Sequence, residues 1–140
     1  MRFLLRLLIT ATWFAGSARS ETIEVKIIAN DSVKLSHVSV EELRRVFLIK
    51  TNLLHDGSRV EPVLGLGSAA HSVFIKQYLG KTDAALNTYY RSLVFTGKAF
   101  MPKLLTSDAE VVAYVRKTKG AVGYVSGSAD TALVKSLLVD

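Results

Sequence analysis

Short runs of β-forming residues alternate with stretches that carry explicit helix-start and helix-stop signals. No other feature restricts the fold as tightly. Ser39-Val40-Glu41-Glu42 and Ser107-Asp108-Ala109-Glu110 are both Ser-x-x-Glu. In this capping box the serine accepts from a free backbone N–H and the glutamate reaches back. The first box opens a helix over 39–47, with Val40, Leu43, Val46 and Phe47 on one face. Glu41 and Glu42 sit at the positive end of its dipole and Arg44 and Arg45 towards the negative end. The second box opens a helix with Val111, Val112 and Val115, stopped by Gly120. Two further helices are expected, one over 69–79 stopped by Gly80, and one capped by Thr82 or Asp83 and broken at Thr96-Gly97-Lys98.

Strands are expected over 22–29, 60–64, 121–125 and 133–139. The first alternates Ile23, Val25 and Ile27 with Glu24 and Lys26, which gives it one polar face. Pro62 lacks an N–H and implies an edge strand or a bulge. Gly123, inside an apolar strand, implies a close backbone neighbour. The order is strand, helix, strand, three helices, strand, strand. Such intermixing predicts an α/β fold with helices packed on a small mixed sheet.

The N-terminus reads as an address. Arg2 and Arg6 flank the start of an apolar run that ends in Gly16-Ser17-Ala18-Arg19-Ser20. A basic start, a short apolar stretch and an Ala-x-Ser site form a cleaved secretory signal, residues 1–20, cut after Ser20 or after Ala18. No cysteine follows, so a lipoprotein anchor is excluded. The expected product is a soluble periplasmic domain, residues 21–140. With the leader go three arginines and no acid, so the formal charge falls from +6 to +3. The remaining charges are mixed along the chain. No basic stripe with interleaved aromatics is present, and nucleic acid is not an expected partner. The absence of cysteine also excludes disulfides, thiol nucleophiles, Cys-ligated zinc and iron–sulfur clusters.

The stretch of most chemical interest is Gly65-Leu66-Gly67-Ser68, where a strand runs into glycines and a helix start. Free N–H groups at Gly67 and Ser68, the Ser68 hydroxyl and a protonated His71 one turn on could together hold an anion. The alternative is a tight turn with Ser68 as N-cap and His71 at the surface. The spacing matches neither a dinucleotide fingerprint nor a nucleotide-phosphate loop. His37, His55 and His71 lack metal-ligand spacing, so neither metal nor cofactor is expected. Ser68, His71 and Asp56 do not form a supported triad, and a non-enzyme is expected. Lys98 is read as solvated, and Tyr89, Tyr90 and Phe95 as core.

Five segments in order resemble the phosphate-type periplasmic substrate-binding proteins. Val38 to Leu48 looks like their "Ser-x-x-Glu-Leu-x-x-Ile-Phe" helix, and Asp56 to Val63 like "Asp-Gly-x-x-Ile-x-Pro-Val". Phe74 to Gly80, Phe95-Thr96-Gly97-Lys98 with Pro102, and Ala109 to Val125 follow, the last like "Gly-Ala-Ile-Gly-Tyr-Val". The resemblance implies the type II periplasmic-binding-protein fold, of which about 120 residues make one lobe. It also implies binding of a phosphate-like oxyanion, through Gly67, Ser68 and His71, for an ABC transporter permease. The alternative is an interaction or sensory module that docks on a membrane sensor or partner protein, or forms a homodimer. The chain departs from the pattern in four places. The cradle arginine is replaced by Leu64 or Leu66, and a later arginine by His71. Ile49 stands for a glycine and Leu54 for a tryptophan.

Overall fold

A computed structural model describes residues 23–140, together with Gly16. The expected leader, apart from Gly16, lies outside the described residues. The strands are β1 (Val25–Ala29), β2 (His37–Val38), β3 (Glu61–Gly65), β4 (Lys103–Leu105), β5 (Ala121–Ser126) and β6 (Lys135–Val139). The helices are α1 (Val40–Phe47), α2 (Ala70–Phe74), α3 (Asp83–Phe95) and α4 (Asp108–Lys117). A π-helical turn, Ile75–Leu79, extends α2 until Gly80 ends it in the left-handed conformation. One mixed sheet runs in the order β2-β6-β1-β5-β3-β4. β3 is parallel to both β4 and β5, while β1 is antiparallel to β5 and β6. The expected α/β architecture is the one observed, with two very short strands added.

Strand alternation decides how the helices pack. Ile27, Leu64, Val122 and Tyr124 point to one face and meet Leu43, Phe47, Phe74, Leu86 and Tyr90 from α1, α2 and α3. Ile28, Val63, Ala121 and Val125 point to the other and meet Val111 and Val115 of α4. β5 is buried along its whole length because it is covered on both faces. Phe74 stacks on Tyr124 with ring centroids 4.0 Å apart and meets Phe47 edge-on at 4.8 Å.

Three local expectations change. β3 lies between β5 and β4, so it is not an edge strand. Glu61 N–H donates to Gly120 O on the β5 side, so Pro62, one residue on, turns its missing N–H to the other side. There β4 first pairs opposite Val63, and no ladder bond is lost. At Gly123 the close neighbour is a side chain: an added Cβ would stand 3.0 Å from Val111 Cγ1. The first capping box forms as expected, with Ser39 Oγ accepting from Glu42 N–H and Glu42 accepting from Ser39 N–H. The second forms by half. Ser107 Oγ accepts from Glu110 N–H, but the Glu110 carboxylate takes the N–H and O–H of Thr106 instead.

Candidate functional site

Parallel pairing of β3, β4 and β5 brings their C-terminal ends, Gly65, Leu105 and Ser126, to one edge of the sheet. α2 and α4 start from that edge. In open α/β sheets ligands bind outside the carboxyl ends of the strands. The chain there is tightly interlocked. Leu66 N–H donates to Leu105 O at 2.8 Å. Gly67 lies so close to the next loop that a Cβ would stand 1.9 Å from Thr106 O, so only glycine fits.

Ser68 is buried in this junction. Its N–H donates to Gly65 O, and its Oγ accepts from Ala70 N–H at 3.1 Å. Ser68 is not the expected N-cap, which is Ala69; its hydroxyl oxygen closes a local turn at the start of α2, and its hydroxyl hydrogen is left over. Oγ lies 3.5 Å from Ser126 Oγ, across from the end of β5. Ser126 N–H donates to Asp108 Oδ2 at 3.3 Å. The other oxygen, Asp108 Oδ1, is buried and has no partner among the described residues. Nothing local in the sequence marks Ser126 or Asp108 as site residues. Only the register of β5 against β3 sets Ser126 beside Ser68.

His71 sits in the first turn of α2, as expected, but at 4% exposure it is neither at the surface nor open to a ligand. Its Nδ1 pairs with the Tyr124 hydroxyl, and its Nε2 lies 2.9 Å from Asp83 Oδ1. Tyr124 in turn accepts from Gly65 N–H at 3.3 Å. One proton pattern satisfies every group: Tyr124 donates to Nδ1 of a neutral imidazole, whose Nε2–H donates to Asp83. Burial pushes the Tyr124 hydroxyl far up from its ordinary value, which keeps it a donor. His71 therefore ties α2 to β5, β3 and α3, and both ring nitrogens are taken. Of the three expected site residues, Gly67 and Ser68 share one turn and His71 is turned away into the core.

A cavity of about 570 Å³ opens beside this turn, between β3, β4 and α3. Its wall is Leu64, Leu66, Leu86, Tyr90, Met101 and Leu104, with Asp83 and Asn87. An apolar wall carrying a carboxylate is the wrong lining for a bare anion, and neither Gly67 nor Ser68 belongs to it. Among the described residues no group of three or more His, Asp or Glu side chains could hold a metal ion. No described helix is long and apolar enough to cross a membrane.

No protein-family model matches the sequence, and no curated protein matches it. Its fold is similar to solved structures of phosphate transport proteins. One is a Clostridium perfringens protein assigned as a phosphate ABC transporter substrate-binding protein, solved with phosphate bound (TM-score 0.63, 14% identity). Others are an ABC-type phosphate transport receptor from Vibrio cholerae (0.54, 16%) and PstS from Borrelia burgdorferi (0.62, 13%). Each match covers 84% of this chain but only 45–47% of the other, so the chain spans a little under half the length of these structures. At these identities the likeness is one of fold, and the share covered suits a single lobe.

Proposed function

We propose that the chain is a non-enzymatic, exported binding module for a phosphate-like oxyanion, working with a membrane permease. The carrying observation is the convergence of Gly67, Ser68 and Ser126 at the shared carboxyl edge of three parallel strands. The fold likeness to phosphate transport proteins supports the same reading. Ligand oxygens would be held by the Ser68 and Ser126 hydroxyls and by the N–H of Gly67, which has no partner among the described residues. His71 serves as a brace for this turn. No arginine or lysine belongs to the set, so binding is weaker than at a site with a bidentate guanidinium.

Asp108 sets the ligand's protonation. A bare dianion would meet a like charge, whereas a protonated oxyanion can donate its O–H to the vacant acceptor Asp108 Oδ1. Phosphate carries such a proton at neutral pH and sulfate does not. Thermal unfolding with each anion tests this. Phosphate at about 100 times its Kd adds about 2.7 kcal/mol, a rise on the order of 10 °C for a domain of this size. Sulfate is expected to give no rise. Ser68→Ala should weaken the phosphate effect several-fold, and Asp108→Asn should erase the preference over sulfate. No rise at millimolar phosphate would sink the binding reading and leave the partner-docking module.

A further inference from the structure

Phe95 and Phe100 are 93% and 94% exposed. Both lie where α3 passes into β4, one at the last residue of the helix and one in the turn that follows. The sequence pattern puts Phe95 in the core. Instead α3 turns Leu86 and Tyr90 inward and leaves Phe95 in water. Val94, Phe95, Met101 and Leu104, with Arg91, line an open groove of about 840 Å³ on this side of the molecule. Arg91 and Phe95 are one helical turn apart and so share a face.

The charge of this region is one-sided. Between Asp83 and Asp108 there is no Asp or Glu, while Arg91, Lys98 and Lys103 are all present. Residues 111–129 also carry cations without an acid (Arg116, Lys117 and Lys119), but no large apolar side chain is exposed among them. An apolar surface with Arg91 in its wall and Lys98 in the adjoining turn has a definite complement. A second copy would set these cations against the same cations, with no acid to pair them. An anionic bilayer offers phosphates to the cations and an acyl boundary to the aromatic rings. The phenylalanines also protrude from a turn, which suits shallow insertion better than it suits a keyed protein pocket.

We propose that the α3–β4 connection docks on an anionic membrane surface. Phe95 and Phe100 enter the headgroup–acyl boundary, and Arg91 and Lys98 pair with lipid phosphates. The proposal is independent of the anion site and stands or falls separately.

The test uses the full chain with Trp13→Phe, which removes its one tryptophan, and Phe100→Trp as reporter. Vesicles of phosphatidylcholine with and without phosphatidylglycerol are added. The expected result is a blue shift of the emission with the anionic vesicles alone, reversed by high salt. Arg91→Gln or Lys98→Gln should each weaken vesicle binding about fivefold. A reporter at Lys117→Trp, at the exposed end of α4, should stay unshifted. An unshifted Phe100→Trp with anionic vesicles overturns the proposal. So does an equal shift with neutral vesicles, an equal shift at Lys117→Trp, or a lipid-free shift that grows with protein concentration, which would mark a second copy as the occupant.

Discussion

Glu42 carries more than its cap. One oxygen accepts from Ser39 N–H, and the other from His55 N–H at 2.8 Å and from His55 Nδ1 at 2.7 Å. Burial alone would raise its pKa, but the hydrogen bonds from His55 and Ser39 outweigh burial and hold it below the ordinary carboxylate value. The linkage has a fixed sign. A carboxylate whose pKa is lowered by folding stabilises the fold above the unfolded-state value, and loses that contribution as pH falls through the lowered one. Urea unfolding of Glu42→Gln and wild type should therefore differ most near neutrality, with the gap closing on the acid side of the ordinary carboxylate range. A constant gap would show that the charge of Glu42 contributes nothing. The capping role of Glu42 was legible in the sequence because a box is local. The tie to His55 was not, since it depends on where the loop after α1 returns.

Helices α1 and α3 end by the same device with different residues. After α1, Ile49 N–H bonds Val46 O and Lys50 N–H bonds Arg45 O. After α3, Gly97 N–H bonds Val94 O and Lys98 N–H bonds Leu93 O. Both are Schellman ends, which need a left-handed residue just past the cap. Gly97 has φ +70° and Ile49 has φ +58°. A β-branched residue in that conformation is strained by about 1–2 kcal/mol, and Ile49 recovers part of this by packing half-buried against the core. Ile49→Gly should therefore change stability by less than about 1 kcal/mol, because strain relief offsets lost burial. Gly97→Ala, with no strain to relieve, should cost about 1 kcal/mol. Chemical denaturation of the two variants checks both, and a loss above about 2 kcal/mol for Ile49→Gly would mean its conformation is unstrained.

The elements of four or more residues with alternation, caps or glycine stops were readable from sequence. β2 and β4, of two and three residues, were not. A run that short has no period, and its pairing is decided by partners far along the chain. Phe95 failed for a related reason. Its place on the apolar side of a helix is local, but whether anything covers that helix end is not. The same limit divided the anion turn. Gly67 and Ser68 are adjacent in sequence and were found together. Ser126 and Asp108 reach them only through β3–β5 pairing. His71 was drawn inward by Tyr124, which lies 53 residues away.

At the scale of the whole molecule, the sheet depends on its last segment. β6 covers one edge of β1, pairs with β2 and buries Leu137. A chain ending at Val134 should lose more than about 3 kcal/mol and show a broadened thermal transition by circular dichroism. A sharp transition at the wild-type temperature would mean that β1–β5 pairing alone holds the core. There is also a consequence in time. β1 is the earliest described strand to leave the ribosome, yet both strands that flank it lie beyond residue 120. Closing so long a loop must precede any reward from the pairing, and such topologies fold slowly. The centre of the sheet cannot assemble until residues beyond 120 have been made. The polypeptide thus emerges in an unlocked state, the only state that can be threaded through a narrow pore.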